Sequence, residues 1–234
     1  TPVEVAARQA MQREKHKIYD HVIVTDASRL LGTASVQDIL DAMAQVQVEL
    51  AKGSNPLSGL PGNLNIEIEL EKRIQKYQNP TSIIYVDLDN FKAYNDVYGF
   101  KNGDRIILFT SKILTWAVQR HGDPNSFVGH IGGDDFILLT HPNRAERVCM
   151  GISRCFKRII KKFYNPIDVQ KGFILSKGRE QTENKYPLVS VSMAIVDCMK
   201  PMPLSEISDL ASGTKKLAKS IPGNSYVRNR RRPA

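Results

Sequence analysis

The sequence has few of the features that mark secreted or membrane-spanning proteins. It contains only three cysteines, none in a Cys-x-x-Cys pair, which argues against a disulfide framework or a zinc site and favours a reducing compartment. No apolar run approaches the ~18 residues of a membrane span, and residues 1–20 are too polar for a signal peptide. We therefore expect a cytoplasmic chain. The absence of an initiator Met suggests that it is a piece of a longer protein.

Acidic residues are outnumbered. The chain has 33 Lys and Arg against 24 Asp and Glu, a net charge of +9. Such a balance suits phosphate-bearing ligands or nucleic acid. Basic residues cluster at 157–162 and 228–232, but no aromatic residues alternate with them as a single-strand binder would require. We therefore interpret the clusters as a solvated helix face and a terminal tail, and expect no nucleic-acid partner.

The first 53 residues form a small segment of their own. An apolar strand at 21–26, a second strand at 30–34 and a helix from Val36 follow one another, and Ser35 is a candidate N-cap. This β-β-α segment resembles the closing half of a CBS motif, through Gly32-Thr33 and the Asp-aliphatic-aliphatic run at 38–40. Many β-turn-β-α units share this pattern.

A breaker cluster at 53–56 marks the boundary to a larger domain. Residues 164–187 form a polar connection, for which we expect an elaborated surface or interface with one short strand at 172–176. The remaining pattern predicts a mixture of strands and helices. The strands are expected at 81–86, 126–131, 136–140 and 188–196, the last with alternating character. The helices are expected from 63 and over 102–120, 144–163 and 204–220.

Two strand ends carry carboxylates. Asp87 and Asp89 follow a buried apolar strand and point the same way, because side chains alternate along a strand. Asp134 and Asp135 lie in a glycine turn between two strands. If the strands adjoin, these oxygens converge on a site suited to Mg²⁺, as used in phosphoryl or nucleotidyl transfer. Alternatively, Asp-x-Asp caps the next helix and the glycine turn is a plain hairpin.

The sequence of these segments closely resembles the GGDEF family. The resemblance rests on residues 87–104 and on Gly132-Gly133-Asp134-Asp135-Phe136. Residues 57–61, Leu-Ser-Gly-Leu-Pro, are similar to the family's opening Leu-Thr-Gly-Leu-Pro, and residues 190–194 to its late Ser-x-Gly strand. The resemblance covers about residues 55–227. It implies an α/β (α+β) fold, an antiparallel palm-like sheet with flanking helices, as in nucleotide cyclases and polymerase palms.

Active members of this family are diguanylate cyclases, which join two GTP molecules into cyclic di-GMP. The resemblance implies that Asp87 and Asp134 ligate Mg²⁺ (or Mn²⁺), with the backbone carbonyl of Leu88 assisting. It also implies catalytic roles for Asp134 and Asp135, the latter in activating the 3′-hydroxyl. Asp89 is expected to orient the helix that follows it.

The resemblance also implies a guanine and a phosphate site. Asn95 and Asp104 would read the guanine edge. Asp can accept from N1–H and N2–H₂, a donor pair that adenine lacks, so ATP would leave a polar group unpaired. Lys92 and Lys219 would contact phosphate, although Lys92 could equally be a solvated lysine.

Several positions depart from the family pattern. Asp135 stands where the family has Glu and is one methylene shorter, and transition-state geometry is sensitive to ~1 Å. Gly223 replaces a phosphate-binding Arg, Phe100 a frequent His, and His130 an Arg. Residues 123–126 lack the Arg-x-x-Asp of the family's inhibitory product site, so we expect that site to be absent.

We thus expect a CBS-like remnant with a signalling helix at 1–53, a GGDEF domain at 54–227 and a basic tail at 228–234. The first hypothesis is a cyclase that acts as a homodimer, because each domain holds one GTP. The alternative is a catalytically degenerate GTP-binding module that controls a linked domain, such as a cyclic-di-GMP phosphodiesterase. A nucleic-acid polymerase palm is disfavoured because fingers, thumb and length are lacking.

Overall fold

The computed structural model describes residues 3–17, 19–27, 29–75, 80–177 and 183–229. The chain divides into two compact units, residues 1–53 and 54–234. In the described part of the chain, no helix is both long and apolar enough to cross a membrane.

The first unit consists of a β-hairpin and two helices. Ser35 caps the second helix: its Oγ accepts a hydrogen bond from the Asp38 N–H at 3.0 Å and donates one to the Asp38 carboxylate at 2.6 Å, which confirms the expected N-cap. Hydrogen bonding from Ser35 lowers the pKa of Asp38. The similarity of this unit to a CBS motif stays a prediction. The elements are α1 (Val3–Met11), β1 (Val22–Asp26), β2 (Arg29–Ala34) and α2 (Val36–Lys52).

The second unit contains the predicted α/β fold. Its helices are α3 (Asn63–Leu70), α4 (Phe91–Tyr98), α5 (Phe100–His121), α6 (Pro142–Ile159), α7 (Pro166–Lys171) and α8 (Leu204–Ser220). Its strands are β3 (Thr81–Asp89), β4 (Phe127–Gly132), β5 (Asp135–Thr140), β6 (Phe173–Lys177), β7 (Glu183–Pro187), β8 (Ser190–Cys198) and β9 (Ser225–Arg228).

A five-stranded sheet in the order β4-β5-β3-β8-β9 forms the centre of this unit. Its pairs are antiparallel except β8 with β9, which are parallel, so the expected antiparallel sheet has one parallel edge. Helices α4, α5 and α6 pack on one face and α3 and α8 on the other. Because β3 is central and buried on both faces, its end brings Asp87 against both neighbouring strands.

The structure differs from the sequence-based expectations at three places. The connection after α6 is more ordered than expected, since α7 and the β6–β7 hairpin lie in it. Strand β8 does not alternate in burial but is buried on both faces, because it lies between two strands and two helix layers. Arg228, the first residue of the expected tail, belongs to β9 and pairs with Asp197 and Glu146. Residues 230–234 of that tail lie outside the described residues.

Candidate functional site

Carboxylates converge at the end of β3. Asp87 stands opposite Asp135 of β5 on one side and opposite Ser192 of β8 on the other. Only 6% of the surface of Asp87 is exposed, while Asp134 and Asp135 are half-buried. The tight β4–β5 turn depends on Gly133, whose φ of +57° lies in the left-handed region that glycine adopts without strain.

Two lysines of α8 reach into this cluster. The Nζ of Lys219 lies 2.7 Å from Oδ1 of Asp87, an ion pair without the geometry of a hydrogen bond. The Nζ of Lys215 lies 2.7 Å from Oδ1 of Asp135 and 3.5 Å from Oδ2 of Asp87. The structure thus brings Lys219 to the carboxylates, and adds Lys215, which the sequence analysis missed.

The charges in the cluster act on one another. Burial, and after it the negative charge of Asp87, raises the pKa of Asp134. Burial alone would lower the pKa of Lys215, but the hydrogen bond and the charge of Asp135, with the charge of Asp87, outweigh it and raise that pKa. The cluster is therefore a compact set of positive and negative charges at the partly open end of the central strand β3.

The donor chemistry of the cluster fits magnesium. Among the residues that the structure describes, no three His, Cys, Asp or Glu side chains are arranged to hold a metal ion by themselves. Mg²⁺ does not need such a cage, because it is commonly bound by one or two carboxylates together with waters and substrate phosphates. Asp87 and Asp134 provide two carboxylates, and the negative charge of Asp87 acts on Asp134.

Asp89 has a different role from the one expected. Its carboxylate accepts hydrogen bonds from the Oγ atoms of Ser190, at 2.7 Å, and Ser192, at 2.8 Å. Burial raises its pKa, although these two bonds oppose the shift. The side chain therefore joins β3 to β8. Asn90, the cap residue of α4, makes no side-chain capping bond.

The two expected guanine contacts lie at the junction of α4 and α5. The buried Oδ1 of Asn95 has no hydrogen-bond partner among the described residues. It lies directly over Gly103, where an added Cβ would be 1.9 Å from it. Asp104 is the next residue of α5, and its side chain is exposed. An unpaired amide oxygen beside an exposed carboxylate is suited to binding a polar ligand edge.

Lys92 and Leu88 do not join these groups through their side chains. Lys92 is exposed in the first turn of α4, and no ion pair involves it within the described ranges 3–17, 19–27, 29–75, 80–177 and 183–229. The side chain of Leu88 is buried in the core on the face away from α8, so only its backbone could contribute to the site.

A buried histidine supports the glycine turn. The Nδ1 of His130 lies 2.8 Å from the Oγ of Ser58, and its Nε2 lies 3.0 Å from the carbonyl oxygen of Gly133. The ring stacks on Phe136 at 4.1 Å between centroids, and burial lowers its pKa. His130 therefore fastens the opening motif at 57–61 to the turn that carries Asp134.

Comparisons with known proteins agree with these observations. The sequence matches the family described as "Diguanylate cyclase, GGDEF domain" over residues 54–178, more than half of the chain. It is 32% identical over 136 residues to a diguanylate cyclase of Vibrio cholerae, covering 56% of this chain and 40% of that protein. It is 28% identical over 167 residues to the bifunctional diguanylate cyclase/cyclic di-GMP phosphodiesterase MucR of Pseudomonas aeruginosa, covering 68% of this chain and 24% of MucR.

A solved structure shares the fold. The coiled coil and GGDEF domain of DgcB from Caulobacter crescentus, determined in complex with c-di-GMP, superimposes with a TM-score of 0.58 at 17% identity, covering 82% of this chain and 98% of that one. In contrast, the chain spans less than two thirds of the length of the curated relatives that it matches.

Proposed function

The chain belongs to the diguanylate cyclase GGDEF domain family, and we propose that its second unit binds GTP with Mg²⁺ (or Mn²⁺) and condenses two GTP molecules into cyclic di-GMP. The observation that carries the proposal is the convergence of Asp87, Asp134 and Asp135 with Lys219 at the end of the central strand β3. In each condensation a 3′-oxygen bonds to the α-phosphorus of the other GTP, and pyrophosphate leaves.

Each residue of the cluster would have its own role in the proposed reaction. Asp87, Asp134 and the Leu88 carbonyl would hold the cation, which when bound supplies charge neutralisation at the phosphates and a lower pKa for the attacking hydroxyl. Asp135 would orient and activate the 3′-hydroxyl. Lys219 and Lys92 would attract the phosphates, since each is an exposed ammonium group on a helix beside the site.

Asn95 and Asp104 would give the domain its selectivity for GTP over ATP. The Asn95 side chain would bond O6 or N3 of guanine, and the exposed Asp104 carboxylate would accept from the adjacent N1–H and N2–H₂ donors. Adenine offers no such donor pair and would lose the bonds to the Asp104 carboxylate, at about 1.5–3 kcal/mol for a hydrogen bond to a charged group.

Each unit of this kind holds one GTP, so the proposed reaction needs two chains facing each other. We also propose that the protein acts as a homodimer in the cytoplasm and that residues 1–53 form a CBS-like segment. MucR combines its cyclase with a phosphodiesterase, and this supports a linked regulatory or phosphodiesterase domain in a longer protein.

A second candidate function is a catalytically degenerate module that binds GTP and regulates a linked domain. The ion pair between Lys215 and Asp135 favours it, because it ties the shortened acid to the protein rather than leaving it free for a hydroxyl. Gly223 also lies at a phosphate-binding position of the family without a side chain to bind phosphate.

Variants of Asp135 distinguish the two functions. Purified protein is incubated with Mg²⁺ and GTP, with ATP as the control substrate, and products are resolved by anion-exchange chromatography. If the domain is a cyclase, Asp135→Glu raises kcat about tenfold, or ~1.4 kcal/mol in the barrier, because its longer carboxylate reaches the hydroxyl. KM changes little, since the effect belongs to the transition state.

Asp135→Asn should lose activity in the same assay, because the amide cannot act as a base. If wild type and Asp135→Glu both form no product while calorimetry confirms that GTP is bound, the cyclase proposal fails and the regulatory module remains. Equal rates for Asp135→Asn and wild type would mean that Asp135 has no catalytic role.

A further inference from the structure

Lys215 occupies an unusual place in the carboxylate cluster. It lies one helical turn before Lys219 on α8, so both side chains extend from the same face of that helix toward β3 and β5. Its ammonium group contacts two carboxylates at once, Asp135 at 2.7 Å and Asp87 at 3.5 Å. These distances place one positive charge between two strands.

The ammonium group of Lys215 occupies the position that a cation bridging Asp87 and Asp135 would take. Asp87 and Asp135 face each other in register across β3 and β5, and two facing carboxylates repel unless a cation lies between them. Lys215 is only 29% exposed, so its charge is partly desolvated and depends on these acids for compensation. The ammonium group and a divalent ion compete for the same oxygens.

The balance of charge limits how many ions the site can hold. Asp87, Asp134 and Asp135 carry at most three negative charges, and Lys215 and Lys219 supply two positive ones. These five groups together carry a charge of −1, and one divalent cation at Asp87 and Asp134 brings it to +1 before substrate binds. A second cation would add two charges within a few ångströms of both ammonium groups, where repulsion is strong.

We propose that Lys215 takes the place of a second divalent cation, so that the GTP complex of this domain holds one metal ion per chain, on the Asp87 and Asp134 side. The inference rests on the proposed function, because it concerns the metal complement of that site. Lys215 is in this sense a positioning residue, because it holds Asp135 and Asp87 in place where a second metal ion would otherwise be needed.

Counting bound manganese tests the proposal. The protein is saturated with a GTP analogue that has a methylene bridge between the α- and β-phosphorus atoms. Retained Mn²⁺ is then measured from the loss of the free-ion signal in electron paramagnetic resonance. Wild type should retain one Mn²⁺ per chain and Lys215→Met two. The charge-preserving Lys215→Arg should retain one, as should Lys216→Met, the matched control at an exposed neighbouring position.

The outcomes separate this inference from the proposed function. Two Mn²⁺ in wild type, or one in a Lys215→Met protein that is folded by circular dichroism, overturns the role of Lys215 and leaves the metal site standing. If Lys215→Met does not fold, Lys215→Gln replaces it as the neutral variant with the same expected count. No Mn²⁺ in wild type, with the analogue bound, overturns both this inference and the metal-dependent function.

Discussion

At the scale of single residues, Asp123 stabilises the corner between α5 and the β4–β5 hairpin. Its carboxylate accepts hydrogen bonds from the Oγ of Ser126, the Oγ1 of Thr140 and the N–H groups of Asn125 and His141. Burial would raise its pKa, but these bonds outweigh it and lower the pKa to about 2. The absence of a product site at 123–126 stays a prediction.

Stability should therefore depend on Asp123 in a pH-dependent way. The pKa of Asp123 in the folded state, about 2, lies below the ~3.9 of an unfolded aspartate. The stabilisation is therefore complete above the unfolded-state pKa of ~3.9 and is lost as the pH falls through the folded-state pKa of about 2. Asp123→Asn should lower the free energy of unfolding by about 1–3 kcal/mol at neutral pH, with a smaller difference near pH 3. Urea unfolding at both pH values measures this.

The matched control for Asp123 is Asp209→Asn, at an exposed position of α8. It should leave the free energy of unfolding almost unchanged at either pH. A loss for Asp123→Asn that is the same near pH 3 as at neutral pH would contradict the assignment of the effect to the ionised carboxylate.

At the scale of elements, the junction of α4 and α5 determines where the guanine contacts lie. Gly99 separates the helices with a φ of +81°, and Gly103 lets Asn95 lie directly on α5. The other side of α4 carries packed aromatic rings. The ring centroids of Tyr94 and Tyr98 are 4.8 Å apart in a stacked arrangement, and the ring of Tyr164 packs edge-on against both. The junction thus places the Asn95 side chain against Gly103 of α5, while α4 packs on Tyr164.

Gly103→Ala should weaken GTP binding while the fold is retained. The new methyl group would overlap Oδ1 of Asn95, so the side chain must leave its present position, with an expected loss of about 1–3 kcal/mol for one polar contact. Isothermal titration calorimetry with GTP measures the loss, and ATP binding should change little.

Gly213→Ala is the control for Gly103→Ala. It adds the same methyl group to α8, where nothing lies within 4 Å of it, and it should stabilise the helix by about 0.5–1 kcal/mol without affecting GTP. Wild-type GTP affinity in Gly103→Ala would exclude Asn95, as placed here, from the guanine site.

The region after α6 shows how one element can gain order from its neighbours. Its sequence is polar, yet Asp168 of α7 accepts a hydrogen bond from Tyr98, and the Tyr164 hydroxyl accepts one from the N–H of Val189. Burial raises the pKa of Tyr98 to about 12, and its bond to Asp168 adds to the effect. The first bond attaches α7 to α4, and the second ties Tyr164, which precedes α7, to Val189, which follows β7.

At the scale of the whole molecule, the described residues of the second unit place the carboxylate cluster at the end of β3 and the two expected guanine contacts at the α4–α5 junction. Under the proposed function these two groups would serve a single GTP. The proposed product contains two nucleotides, so a single unit is half of the reacting assembly.

The specific activity of the cyclase should therefore rise with protein concentration. At low concentration the chains are separate and each holds one GTP without a partner nucleotide, whereas GTP affinity per chain stays constant. Initial velocities over a dilution series, compared with sedimentation measurements of the dimer, test this. A specific activity that stays constant where sedimentation shows only monomers would contradict the two-chain reaction.

The sequence by itself determined the family and most of the elements, but not α7, β7 and β9. Local rules sufficed: the helix period placed α8 at 204–220, where the structure has it, and the length and glycine spacing of the motif at 87–104 identified the GGDEF fold. Alternation along β3 correctly set Asp87 and Leu88 on opposite faces. The roles of Lys92, Asn95 and Asp104 as ligand contacts stay predictions.

Only the tertiary structure decided which side chains pair across the sheet. Asp89 meets Ser190 across 101 positions of sequence, and His130 meets Ser58 across 72. Lys215 stands one turn before Lys219, a spacing that indicated a shared face but not the carboxylates it would reach. Such pairings depend on strand order and on how α8 packs over β3. These are set by the burial of apolar surface from the whole chain and leave no local pattern in the sequence.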